Sequence, residues 1–415
     1  MTSRSCLVAI LVVAYVLACG VESAAASDPQ PVALPALPEP MTFYVVKGAP
    51  DSCGHGCDSW IEAEGQIVSS TAARFKVFFD RVQDRNLPIY LASPGGNLGQ
   101  AIVIGTILHA KSMIARVGRT VVWECGFEAQ DSDVCVRLKQ SGRELHGDLF
   151  TRGAACASAC PFVFAGAAVR EVAPDAVLAV HSPKIFFNLP GGQIEPSVAG
   201  TDERGLERAD RMVAVYLAKV GIDAGLLDVI RTVRNEDIHV LTREEIVRFG
   251  LDRREFVETP WTFENDKLSI MHKVAVVRKP GETSFRLLQW RVTCFDAKRL
   301  AMDFLRPALA NANLASVMIG GGDAFPAHFV YPPVTAPGRE QWGLRMPQPD
   351  LQLLLDQPEI EITETSPAAD ERRVSQTIKL SNDGGAGALA SLLAGCPRTK
   401  APAAQASRAG EPVAK

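Results

Sequence analysis

The sequence predicts an α/β domain followed by a β-rich domain, and three observations carry this reading. Up to about residue 258, strand-like apolar runs alternate with stretches of helical period. Beyond that point the helical period fades, and short alternating segments broken by Gly, Pro and Asp take over. The composition is that of an ordinary globular chain: 415 residues, 47% hydrophobic and 22% charged, long enough for two or three cores. Lys plus Arg number 43 against 47 for Asp plus Glu. The net charge of −4 lacks the cationic footprint of a nucleic-acid binder, so no nucleic-acid partner is expected.

The N-terminus reads as an export signal over residues 1–26. The apolar run Leu7 to Ala18 falls short of the roughly 20 residues of a membrane span, and Ala24-Ala25-Ala26 supplies a small-residue cleavage site. An uncleaved anchor is the alternative. Val16-Leu17-Ala18-Cys19 also resembles a lipobox, so membrane anchoring is expected only if Cys19 is lipidated. The expected location is periplasmic or secreted. Cleavage leaves Cys53, Cys57, Cys125, Cys135, Cys156, Cys160, Cys294 and Cys396, an even set suited to disulfides in an oxidising compartment. Cys53 and Cys57 could flank a metal with His55, but no second Cys/His pair stands at zinc-finger spacing. A disulfide is the better reading, and neither metal nor cofactor is expected.

Residues 27–42 form a proline-rich linker. Strands are expected over 43–48 and 59–67, a helix from Thr71 to Val82, and a buried strand from Leu87 to Ala92. After Ser93-Pro94-Gly95-Gly96 come a helix from Leu98 to Ala110 and a strand from Met113 to Val122. This order argues for right-handed βαβ units in a mainly parallel sheet. The polar stretch 124–150, with two cysteines, reads as a surface excursion placed where a substrate would enter. A helix opens within Ala157 to Gly166, a strand runs from Ala176 to Val180, and helices cover Glu203 to Val220 and Leu226 to Val233. A short helix capped by Thr242 and closed by Gly250 completes the domain, assigned to 43–258. The β-rich domain spans 259–398. Its strands are expected near 273–278, 284–293, 315–320, 327–331, 360–363 and 374–380, with helices at Ala297 to Leu305 and Gly387 to Leu393. A Cys294–Cys396 bond would staple it. Residues 399–415 read as a disordered tail.

Three pieces of the first domain carry chemistry. Gly95 and Gly96 follow a buried strand and open a helix, where backbone N–H groups can face an anion. Ser158 lies among small residues in Cys156-Ala-Ser-Ala-Cys160-Pro161 and is a candidate nucleophile, although a helix-capping serine is the commoner use. His181 ends an apolar strand, where the active sites of α/β sheets gather.

Together these pieces resemble the Clp protease proteolytic subunits of the crotonase-like superfamily, and more closely their exported ClpP-like relatives. The likeness runs from about Trp60 to Leu251. It takes in Gly65-Gln-Ile67, Ser93-Pro-Gly-Gly96, the Ala-Ser-Ala segment around Ser158, the strand ending in His181, and Glu245 through Gly250-Leu251. It implies a ClpP/crotonase-like core of βαβ units, with Ser158 as nucleophile and His181 as general base. The N–H groups of Gly96 and Ala159 become the oxyanion hole, and Asp237 is the third triad member, one residue out of register. Asn235 and Glu236 are the fallbacks for that role. The implied activity is that of an ATP-independent serine peptidase of the cell envelope, acting on peptide or unfolded protein, with homo-oligomers in prospect. Two alternatives stand beside it: a catalytically silent scaffold and a non-peptidase acyl hydrolase. Cys156 and Cys160, which the cytosolic members lack, are expected to reach Cys125 and Cys135.

Overall fold

The computed structural model describes residues 40–84, 86–183, 187–189, 192–194, 202–265, 269–278, 284–296, 299–307, 316–321, 325–329, 334–336, 339–367 and 373–396. The stretch 1–26 read as an export signal, most of 27–42 and the stretch 399–415 lie outside these residues. Among the described residues, no helix is long and apolar enough to cross a membrane.

The first half runs β1 (Thr42–Lys47), β2 (Ser59–Glu64), α1 (Thr71–Phe79), β3 (Ile89–Ala92), α2 (Leu98–Ala110), β4 (Ile114–Val117) and β5 (Arg119–Val122). It continues α3 (Asp133–Lys139), β6 (Leu145–Phe150), β7 (Ala155–Ala157), α4 (Cys160–Ala165), β8 (Val169–Glu171) and β9 (Val177–Val180). After a hairpin of β10 (Phe187–Leu189) and β11 (Gly192–Ile194) come α5 (Asp202–Val220), α6 (Gly225–Thr232), β12 (His239–Val240) and α7 (Arg243–Arg248). One sheet has the order β5-β6-β1-β2-β3-β4-β8, parallel from β2 through β8. A smaller sheet has the order β12-β9-β7, with β7 and β9 parallel. The mixed α/β architecture expected from the sequence is present.

The two sheets are joined end to end. Beyond the last residue of β3, Ser93 N–H donates to Ala155 O (2.8 Å), and Ala157 N–H donates to Ser93 O (2.9 Å). Helices α2 and α4 cross closely because neither carries a side chain at the crossing. A Cβ on Gly166 would lie 2.1 Å from Gly105 O, and one on Gly105 2.5 Å from Phe162 O. The core around this crossing includes Phe75, Ile104, Leu108, Phe164, Leu178 and Leu217.

Three expectations for this half need correction. The strand read over 113–122 is two strands, β4 and β5, separated by Gly118, where a Cβ would strike the Tyr90 ring at 2.5 Å. The excursion 124–150 is partly built into the sheet: β6 lies between β1 and β5. It also supplies Lys139, whose ammonium is buried against Glu64 (2.5 Å) and donates to Gln130 O (2.8 Å). Beside it, burial first and then repulsion by Glu64 push the Glu62 carboxyl well above its usual range. Finally, Cys156 and Cys160 bond each other and not the excursion, whose Cys125 and Cys135 form their own pair. The awkward geometry of a helical i,i+4 pair does not arise. Cys156 lies within the short strand β7, the chain turns at Ser158, and the helix starts only at Cys160, leaving the Cα atoms 5.1 Å apart.

The second half contains β13 (Phe256–Glu258), β14 (Thr262–Asn265), β15 (Ser269–Val277), β16 (Arg286–Asp296) and β17 (Arg299–Pro307). Then come β18 (Ser316–Gly321), β19 (Phe325–Phe329), β20 (Val334–Ala336), β21 (Arg339–Pro347), α8 (Gln348–Leu355), β22 (Glu359–Pro367), β23 (Arg373–Ser381) and α9 (Gly385–Ala394). Antiparallel hairpins build a sheet β13-β15-β16-β17-β21-β20, with β14 on β15, and a second sheet β19-β18-β22-β23. Its core, from Trp261 to Cys396, is a cluster separate from that of the first half. Ala297 to Leu305 is not the expected helix: β17 occupies most of it, burying Leu300, Met302 and Phe304 on alternate positions. Cys294 and Cys396 are bonded, as are Cys53 and Cys57.

Asp252 ties α7 to the chain leaving it. It accepts from Val172 N–H (2.9 Å), Arg243 (3.1 Å) and Arg254 (2.6 Å), with its own side chain only 1% exposed. Burial alone would raise its pKa, but the Arg254 and Arg243 bonds outweigh it and hold the carboxyl at about 2. A carboxyl depressed in the folded state stabilises above its unfolded value, near 4, and loses that contribution as pH falls toward 2. Asp252→Asn is therefore expected to cost about 2 kcal/mol at pH 7. Chemical denaturation should show the gap to wild type closing between about pH 4 and 2; a gap independent of pH would contradict this assignment.

Candidate active site

Ser93, Ser158 and His181 each follow the carboxyl end of a strand (β3, β7 and β9), and the backbone pairing makes these three ends parallel neighbours. Ligands of open α/β sheets bind outside such ends. Ser158, Ala159, His181, Gly96, Asn97 and Phe162 line one cavity of about 670 Å³, whose walls also include Leu98, Met212, Val213, Leu227 and Ile230. A larger groove of about 1180 Å³, between α1, β1 and residues 140–144, holds none of the expected site residues. No residue of 124–150 lines the site cavity, so the excursion does not stand at its entrance as expected.

Ser158 has φ +58°, a left-handed conformation that L-residues disfavour and that concentrates at functional turns. Its N–H donates to Ala179 O (2.9 Å), which fixes the turn to β9. It is not the helix cap: Ala159 holds that position, and no side chain caps α4. The hydroxyl is thus left for other work. Pro161 sits in the first helical turn, where its missing N–H costs nothing.

The loop 93–97 is built around two glycines. Gly95 has φ +99° and Gly96 φ +128°. A Cβ on Gly95 would lie 2.5 Å from the Ser158 Cβ and 2.7 Å from Ala159 N; one on Gly96 would lie 2.2 Å from Ile67 O. Asn97 N–H donates to that same Ile67 oxygen (2.7 Å), and Ile67 N–H donates to Gly95 O (2.7 Å). The N–H groups of Gly96 and Ala159 donate to no acceptor among the described residues, and both residues line the cavity beside Ser158. Two unengaged donors on rigid backbone beside a serine hydroxyl are what an oxyanion site requires.

His181 is half-buried, and its Nδ1 lies 2.8 Å from Ser182 O. A carbonyl can only accept, so Nδ1 carries the proton and Nε2 is the free base. Asp237 does not fill the third role in this structure. Its carboxylate accepts from Arg234 Nε (2.7 Å) and is about half exposed, and the fallback Glu236 pairs with the same arginine at 3.4 Å. Among the described residues no carboxylate bonds His181, and no hydrogen bond joins Ser158 to it. Ser158, His181, Gly96 and Ala159 thus line one cavity, and Asp237 is not among its lining residues.

Ser93 was not singled out as a functional residue, yet it holds the site together. It is fully buried, and its hydroxyl donates to Gly65 O (2.7 Å) while accepting from Gly95 N–H (3.0 Å). The available signal was a small polar residue between a buried strand and two glycines.

No protein-family model and no curated protein matches the chain. Among solved structures, it is similar to the 1510-N membrane-bound stomatin-specific protease at 17% identity and a TM-score of 0.29, over 46% of this chain and 75% of that one. It is similar to ClpP1 of Listeria monocytogenes at 13% identity and a TM-score of 0.28, over 46% and 85%. A third likeness, to invasion associated protein b of Bartonella henselae, has 11% identity and a TM-score of 0.26, over 34% and 91%.

Gly95→Ala is expected to displace Ser158 or the loop. It should lower the folding stability by roughly 2–4 kcal/mol, combining the clash with the left-handed φ. Ser93→Ala leaves Gly65 O and Gly95 N–H without their partner and should cost about 1–3 kcal/mol. Urea denaturation checks both, and a neutral Gly95→Ala would contradict the close approach.

Proposed function

We propose that the chain is a serine hydrolase, most simply a peptidase, with Ser158 as nucleophile and His181 as general base. The observation that carries it is the convergence of a left-handed Ser158, a histidine with a free Nε2 and two unengaged N–H donors on one cavity. His181 Nε2 takes the hydroxyl proton as Ser158 Oγ attacks the substrate carbonyl carbon. The developing oxyanion is received by the N–H groups of Gly96 and Ala159, each such donor being worth about 10²–10³ in rate. The imidazolium then protonates the leaving amine or alcohol, and water releases the acyl group by the reverse sequence. The Ser182 carbonyl holds the ring in place and faces the imidazolium with a partial negative charge. In this proposal it stands where the resemblance would put a carboxylate.

We place the protein outside the cytosol, because all eight cysteines of the described residues are paired. The proposed substrates are peptides or unfolded chains lying beside the Gly95-Gly96 loop, with homo-oligomers in keeping with the resemblance. We also propose the β-rich half as a separate module with no chemistry of its own, on the strength of its separate core. A silent scaffold is the second reading, favoured by the Asp237–Arg234 pair, which leaves His181 without a carboxylate.

A fluorophosphonate probe separates the two. Wild type should label, Ser158→Ala should not, and His181→Ala should slow labelling by about 10²-fold or more. Asp237→Asn should stay within about twofold of wild type, since its carboxylate is engaged elsewhere; a loss comparable to His181→Ala would restore the full triad. An unlabelled wild type would leave the scaffold reading. Turnover of peptide against ester substrates then distinguishes a peptidase from an acyl hydrolase.

A further inference from the structure

Ser158 stands at the middle of a covalent ring. Cys156, the central residue of β7, and Cys160, the first residue of α4, are disulfide-bonded and fully buried in the same core. The ring they close contains only Ala157, Ser158 and Ala159, so it encloses the proposed nucleophile and one of the two proposed oxyanion donors. We propose that this disulfide is a positioning clamp that holds Ser158 in its reactive backbone conformation, making its reactivity depend on the thiol state of Cys156 and Cys160. The inference rests on the hydrolase reading above.

The need for a clamp follows from the backbone. An L-residue disfavours the left-handed region by a factor of roughly 5–30, so Ser158 at φ +58° must be held there. Glycine adopts positive φ freely, as Gly95 and Gly96 do in the adjoining loop, but glycine carries no hydroxyl. Non-covalent contacts help to hold the serine: Ser158 N–H is bonded to Ala179 O, and Gly95 packs against the Ser158 Cβ and Ala159 N. The cross-link adds a covalent constraint by fixing where α4 begins relative to β7, with its Cα atoms at the ordinary disulfide spacing of 5.1 Å. The pair flanks the serine symmetrically, two residues before and two after. Reduction by a dithiol breaks the Cys156–Cys160 bond with two electrons and two protons from the reductant, which leaves as its own cyclic disulfide. Because both sulfurs are buried, this requires local opening.

The test measures the rate of fluorophosphonate labelling across pH for wild type, Cys156→Ala/Cys160→Ala, and Cys53→Ala/Cys57→Ala. The last removes a disulfide of the same four-residue spacing away from the cavity. The clamp predicts that loss of Cys156–Cys160 lowers the labelling plateau roughly tenfold without moving the midpoint of the pH profile. Loss of Cys53–Cys57 should leave the plateau within about twofold, whatever its effect on melting temperature. Equal plateaus for folded Cys156→Ala/Cys160→Ala and wild type would overturn the clamp, as would equal losses in both double variants. If Cys156→Ala/Cys160→Ala does not fold, wild type treated with dithiothreitol and then reoxidised decides, with the bond mapped by differential alkylation and mass spectrometry. Labelling that falls and returns with the Cys156–Cys160 bond supports the clamp; labelling indifferent to that bond overturns it. A wild type that never labels overturns the hydrolase reading and the clamp together.

Discussion

The backbone pairing of Ser93 with Cys156 is the constraint on which the rest of the site depends. β3 belongs to the large sheet and β7 to the small one, and this pairing brings their carboxyl ends side by side. The Ser93 hydroxyl extends the join to Gly65 and Gly95, so one buried residue anchors three stretches of chain. Gly95 is thereby pressed against Ser158 at a distance only glycine allows. The join gives the 93–97 loop and the turn at Ser158 a common reference.

The most deeply buried charged groups lie away from the cavity. Thr120 donates to Glu62 and Lys139 to Glu64 near α3, while Asp252 accepts from two arginines below α7. Asp210, at the cavity wall, is engaged by Arg231 (2.7 Å). The wall therefore presents chiefly Phe162, Leu98, Val213, Leu227 and Ile230, which suits an apolar group beside Ser158.

Three of the four disulfides stand at the two extremes of loop length. Cys294–Cys396 closes 102 residues and, in the chain-entropy model, is worth about 4–5 kcal/mol to the β-rich half. Cys53–Cys57 and Cys156–Cys160 close only four residues, for which the same model gives roughly 2 kcal/mol each. Short rings add less global stability and act mainly on local geometry. That distinction directs attention to what the 156–160 ring contains.

The period of most segments was legible in the sequence, hence the mixed α/β character of the first half and the strand-rich character of the second. The small residues around Ser158 were legible there too. Gly95, Gly96, Ser158 and His181 were legible because their requirements are local: positive φ, a small neighbour, a strand end. Ala297 to Leu305 was misread because Leu300, Ala301, Phe304 and Leu305 satisfy a helical period as well as Leu300, Met302 and Phe304 satisfy a strand one. Pairing of β17 with β16 and β21 on either side settled it. The same holds for β6, whose place between β1 and β5 no local pattern encodes. Tertiary structure alone decided that Cys156 bonds Cys160, because the turn at Ser158 separates a strand from a helix and brings the two Cα atoms together. It alone gave His181 a backbone carbonyl and Asp237 an arginine, since which acceptor meets an imidazole depends on how two loops lie in space and not on their order along the chain.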